Sequence, residues 1–244
     1  MREETPGPAT LVRRHRLSTR LWHWTNALCL YVLFTSGLGI FNAHPRLYWG
    51  QYGANFDHAW LELGRFGPLW TLPGHYDLAF SRHWHLAFAL IFAFGLIAYL
   101  LWSLFNRHIA RDLAFRRGEL APRHVWRDIR DHARLRFPAG AAAARYNVLQ
   151  KASYVGVIFV VLPVMILTGL TMSPGMDAAW PWLTDLFGGR QSARSIHFIA
   201  AWLLVAFFLV HILMVLLAGP FNELRSMITG WYRLPGPRAG EPAE

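Results

Sequence analysis

Five of the twelve histidines lie within or at the edge of long apolar runs: His23, His83, His85, His197 and His211. Imidazole can ligate a metal, carry a proton or bond a neighbouring helix. Strongly polar groups at membrane depth are costly, so they usually face the interior of a bundle and serve a function. A lone membrane histidine reads as an interhelical hydrogen bond. The spacing of this set reads otherwise. At about 100° per residue, the fourteen-residue step from His197 to His211 ends about 40° short of four full turns. Both rings therefore leave one helix on the same side, about 21 Å apart along its axis. In an antiparallel bundle His23 comes level with His211, and His85 with His197. The result is two imidazole pairs, one near each membrane face. A haem iron takes two axial imidazoles from opposite sides, and bundles build cofactor sites from facing side chains. Two stacked, non-covalent b-type haems fit this arrangement, with His23, His85, His197 and His211 as iron ligands. A zinc site needs three or four ligands converging at one depth, which two separated levels do not offer.

Arginine recurs three residues before a candidate ligand: Arg20 before His23, Arg82 before His85, Arg194 before His197. Residues i and i+3 share a helix face. Each guanidinium would sit one turn from the metal, where haem propionates need a cationic partner. Arginine is also common at membrane edges for topological reasons, so both roles stand. His83 and His85 are about 200° apart on a helix, and only one can face the bundle. His85 matches the arginine spacing; His83 borders the surface or bonds a propionate. The remaining histidines lie in connecting segments, where solvation is the ordinary state.

The elements that must position these residues follow from composition. The chain has 244 residues, of which 54% are hydrophobic and 16% charged, and the formal net charge is +10. A soluble domain carries about 25% charged residues. The net charge alone would suit a nucleic-acid binder, but the apolar residues fall in long unbroken runs, so no nucleic-acid partner is expected. The one cysteine, Cys29, excludes an intrachain disulfide, a Cys-x-x-Cys metal site, an iron–sulfur cluster and covalent haem attachment within this chain. Four runs approach the bilayer-spanning length of about 20 residues: 21–41, 83–105, 147–172 and 195–218. The third contains Pro163, which a membrane helix tolerates as a kink. The first is too long for a signal-peptide core, and no Ala-x-Ala site follows it. The expected architecture is an all-α, integral membrane four-helix bundle spanning 21–218, between an N-terminal segment (1–20) and a C-terminal tail (219–244).

Positive charge fixes the expected orientation. Five arginines precede the first span and ten lie between Arg107 and Arg145, against three in 42–82 and two in 173–194. Both termini and the 106–146 loop are therefore assigned to the cytoplasm (N-in/C-in), and 42–82 and 173–194 to the other side. Residues 42–82, rich in Trp, Tyr, Phe, Gly and Pro, suit a folded cap or docking surface. Residues 107–135 read either as a helix lying at the lipid headgroups or as charge serving topology alone. Residues 139–144 resemble a spacer, and the tail from Pro235 has the composition of a disordered segment.

Taken together these residues resemble the di-haem cytochrome b membrane subunits of bacterial formate dehydrogenase, nickel–iron hydrogenase and thiosulfate reductase complexes, the bacterial b561-type group. The likeness covers about residues 10–232. It rests on His23-Trp24 opening the first helix, Arg82-x-x-His85 opening the second and His197 with His211 on the fourth. It also rests on Tyr146-Asn147-x-x-Gln150-Lys151 opening the third and Thr168-Gly169 near its end. The resemblance implies a subunit in the bacterial inner membrane that passes electrons between the quinone pool and a periplasmic catalytic subunit of molybdopterin or nickel–iron type. It also implies that Asn147 and Gln150 line a quinone site beside His211. Leu149 departs from the formate dehydrogenase pattern, which has glycine there. Asn147 reads equally as a helix N-cap. Two rival readings stand beside this one: a stand-alone quinol-oxidising cytochrome b561 that reduces superoxide, and a haem-free membrane anchor or transporter.

Overall fold

The computed structural model describes residues 10–107, 114–115, 118–134 and 148–234. The Ala-rich 139–144 segment and the tail from Pro235 lie outside these. Among the described residues four helical runs are long and apolar enough to cross a membrane. They are α1 (Leu17–Phe41), α2 (Leu78–Phe105), the combined run Val148–Thr171, and α8 (Arg190–Ala218). Three of them begin a turn or more before the predicted spans, at Leu17, Leu78 and Arg190 rather than Leu21, His83 and Ser195. Hydropathy marks only the hydrocarbon-depth part of a helix, whereas its hydrogen bonding continues through the polar first turns. Asp77 starts α2, accepting a 2.9 Å bond from the Phe80 amide.

The third run is not a simple kinked helix. It comprises α4 (Val148–Gly156), a π turn (Val157–Val161) and α5 (Leu162–Thr171). Pro163 has no amide hydrogen to offer four residues back. The Leu162 amide instead bonds Val157 five residues back, so the helix widens where the proline follows. The shorter elements are α3 (Pro122–Ala133), α6 (Pro174–Ala179), α7 (Pro181–Leu186) and α9 (Pro220–Thr229). Two small antiparallel ribbons, which hydropathy did not indicate, pair β1 (Thr10–Arg13) with β4 (Trp231–Leu234), and β2 (Arg46–Leu47) with β3 (Leu61–Glu62).

The chain divides into two compact units: Met1–Trp24, Phe115–Gln150 and Leu209–Glu244 form one, and Thr25–Ala114 with Lys151–Phe208 the other. In the second unit, buried positions follow stripes at helical spacing: Cys29, Val32, Ser36 and Gly39 on α1, Ser81, Phe92, Leu96 and Ser103 on α2, Ala193, Ala200 and Leu204 on α8. Small residues dominate these seams, and small size is what lets membrane helices approach closely. In their most apolar windows the four spanning runs are only 33, 17, 17 and 11% buried, so most of each apolar surface is left to face lipid.

The segment after α1 is a folded cap on the start of α8, as its composition suggested. The Trp60 indole donates to Ser195 Oγ at 2.9 Å, and that hydroxyl donates to the Tyr48 carbonyl at 2.6 Å. The Gln191 and Ser192 amides of α8 donate to the Gly50 carbonyl. Gly189, at φ +106°, makes this approach feasible: a Cβ there would stand 2.6 Å from the Gly50 backbone. In the first unit the β1–β4 ribbon joins the segment before α1 to the segment after α9. Arg14 pairs with Glu223 at 2.9 Å and lies over the Tyr232 ring.

Candidate cofactor site

His85 of α2 and His197 of α8 face each other with ring centroids 6.2 Å apart and planes at 60°. His23 of α1 and His211 of α8 repeat the arrangement in the other unit, at 6.2 Å and 54°. Two nitrogens bound to one metal at about 2.0–2.1 Å stand about 4 Å apart, which brings the ring centroids to roughly 6 Å. Imidazoles in direct contact pack over a similar range, so the chemistry of the nitrogens weighs more than the separation.

At His85, Nδ1 lies 3.1 Å from both Ser36 Oγ and the Leu33 carbonyl. Ser36 spends its one hydrogen on the Val32 carbonyl at 2.5 Å. Both neighbours of Nδ1 are therefore acceptors, and Nδ1 carries the proton. In the neutral ring that leaves Nε2 with the lone pair, the form a metal requires. His197 repeats the device: Nδ1 lies 3.0 Å from Thr168 Oγ1, which donates to the Val164 carbonyl at 2.6 Å. His23 differs. Its Nδ1 is buried and has no hydrogen-bond partner among the described residues, and the Trp24 ring stands edge-on to it at 5.1 Å. Among the described residues no three or more His, Cys, Asp or Glu side chains cluster as a metal site. Paired imidazoles with no third protein ligand suit a haem, whose porphyrin supplies the other donors, and not a bare metal ion.

Residues 14–230 match the family described as prokaryotic cytochrome b561. The chain belongs to this family. Relatives include proteins named as probable Ni/Fe-hydrogenase B-type cytochrome subunits. The one from Cupriavidus necator is 26% identical over 225 residues, covering 87% of this chain and 83% of its own length. The one from Azotobacter vinelandii is 25% identical over 242 residues, covering 91% and 88%. An Azospira oryzae protein bearing the name of a protein-methionine-sulfoxide reductase subunit, YedZ1, is 28% identical over 211 residues, covering 86% and 93%. A cytochrome b of this family holds b-type haem, and the paired imidazoles are a donor set that fits it.

The other site residues anticipated in this cytochrome b561 are placed as follows. His83 is exposed, whereas His85 meets His197. Arg194 donates to the Arg46 carbonyl at 2.9 Å and to the His44 carbonyl, so part of its guanidinium is committed to the cap. Arg20 donates to the Ile228 carbonyl, while its Nε is buried with no partner among the described residues. Arg82 is exposed. Asn147 lies outside the described residues; the amide that follows it, Val148 N, donates to Asp128 of α3 at 3.2 Å. Gln150 is half-buried in the first turn of α4. The neighbouring Lys151 is buried and donates to the Ala114 carbonyl at 3.4 Å.

Two groups of contacts were not anticipated. One is Ser36 beside His85, for which a signal existed: Ser36-Gly37-Leu38 echoes Thr168-Gly169-Leu170. The other is the grip of α9 on the start of α1, where the Ile228 carbonyl accepts from Arg20 and the Met227 carbonyl from the Trp24 indole at 3.1 Å. Residue types alone carried no sign of it, because the acceptors are backbone.

Proposed function

We propose that this chain is the membrane cytochrome b subunit of a respiratory oxidoreductase, relaying electrons through two b-type haems between the quinone pool and a catalytic partner on the periplasmic face. The observation that carries the reading is the pair of facing imidazoles found twice, His85 with His197 and His23 with His211, at the same separation. Bound haem supplies a one-electron ferric/ferrous couple.

The chain's own residues do the rest. The four histidines hold and orient the cofactors, and the helices around them limit water. Arg20, Arg82 and Arg194 place cationic charge one turn from a ligand, where propionates carry negative charge. In this reading Asn147 and Gln150 offer hydrogen bonds to a quinone oxygen. The cap exposes Tyr52, Phe56, Leu69 and Trp70, a surface suited to a protein partner. Relatives named as nickel–iron hydrogenase and methionine-sulfoxide reductase subunits support an oxidoreductase partner, of nickel–iron or molybdopterin type in this reading. The arginine distribution supports an inner-membrane protein with both termini in the cytoplasm.

The test is the chain purified in mild detergent from haem-replete cells. The reading expects two haems per chain and reduction of both by a quinol analogue. A folded chain that binds no b-type haem refutes it.

A further inference from the structure

The rings of His85 and His197 are backed by the same device on two different helices. Each Nδ1 meets a hydroxyl, Ser36 on α1 or Thr168 on α5, at 3.1 and 3.0 Å. Each hydroxyl belongs to a fully buried side chain and gives its hydrogen to a carbonyl four residues back in its own helix. It can then only accept from the imidazole. A glycine follows each hydroxyl, and a Cβ there would touch the ring: 3.4 Å from His85 Cε1 at Gly37, 3.5 Å from His197 Cε1 at Gly169. The hydroxyl, joined at His85 by the Leu33 carbonyl at 3.1 Å, keeps the proton on Nδ1, and a Cβ at either glycine would come only into ordinary contact with the ring.

An acceptor on Nδ1–H makes the opposite nitrogen a stronger donor to a metal. A stronger donor stabilises ferric iron over ferrous and lowers the reduction potential. His23 has no such acceptor among the described residues. We propose that Ser36 and Thr168 are positioning residues that strengthen His85 and His197 as metal donors and hold the potential of that site below the value it would have without the two hydroxyls. The proposal rests on the reading of these histidines as haem ligands.

The experiment is an optical redox titration of the full chain in detergent, with ferric-state EPR on the same samples. The component lost in His197→Ala identifies the site. In Ser36→Ala/Thr168→Val that component should favour the ferrous form about tenfold more at a fixed ambient potential, a rise of about 59 mV for a one-electron couple. The other component should not move. Thr168→Val alone is nearly isosteric, which spares the fold, and should give about a threefold shift. Ser36→Thr and Thr168→Ser keep the hydroxyl and should titrate like the unsubstituted chain, with its EPR signals unchanged. Two intact components with unmoved potentials in Thr168→Val and in the double variant overturn this proposal alone. An unsubstituted chain with no b-type bands overturns it together with the ligand reading.

Discussion

His83 and His85 stand two residues apart and have opposite surroundings, which shows how little residue type settles by itself. His85 is turned to His197 and backed by Ser36; His83 is exposed. His83→Ala should therefore leave the haem content unchanged, whereas His85→Ala should remove one haem, as read by the pyridine haemochrome. His44 illustrates a histidine with a structural task. Its Nε2 lies 3.1 Å from the Tyr48 hydroxyl, which itself donates to the Ala54 carbonyl at 2.8 Å. His44 must then donate through Nε2. Burial, then the charges of Arg194 and Arg46, hold its pKa below the ordinary 6.5. As pH falls through that value the unfolded chain takes up the proton first, so the folded cap loses stability below about pH 6.5 and is unaffected by this group above it. The thermal unfolding midpoint should fall from pH 7 to pH 5, and less so in His44→Gln. Equal pH dependence in the two proteins would contradict the assignment.

Among the elements, the spanning helices were the most legible, because apolar length is a property of sequence alone. Their first turns were not, since polar residues such as Ser18 and Arg20 continue the helix beyond the depth that hydropathy detects. The π turn before Pro163 was readable only as a kink, because a missing amide hydrogen does not say how the turn will rearrange. The cap and the β1–β4 ribbon depend on backbone bonds between distant segments, which no local pattern announces. Gly189 joins two of these segments. Gly189→Ala would add a Cβ 2.6 Å from the Gly50 backbone at a φ of +106°. The expected loss is about 2 kcal/mol or more of stability, read as a lower unfolding midpoint in detergent. A midpoint equal to that of the unsubstituted chain would mean the cap does not rest on α8 in this way. In the first unit, α9 accepts bonds from Arg20 and Trp24 on either side of His23. Deleting the chain after Gly219 should weaken the His23–His211 haem and spare the other, as seen in haem content and redox components.

At the scale of the whole molecule, the two histidine pairs were legible because one helix carries a member of each. The fourteen-residue step predicts a common side of α8 for His197 and His211, and each unit supplies one partner ring. What the sequence could not convey is how His85 and His197 are supported, since Ser36 and Thr168 act through hydrogens already committed to their own helices. Orientation is a separate, global property set by charge. Reporter fusions at either terminus should report the cytoplasm, and insertions in the 42–82 cap should report the other side; the reverse pattern would undo the periplasmic placement of the partner.

The central claim is the pairing itself, and haem content with resolved redox components in the four single variants His23→Ala, His85→Ala, His197→Ala and His211→Ala tests it most directly. The account predicts that His23→Ala and His211→Ala lose one and the same component, that His85→Ala and His197→Ala lose the other, and that each variant retains one haem per chain. Loss of different components within a pair, or no loss in any variant, would contradict it.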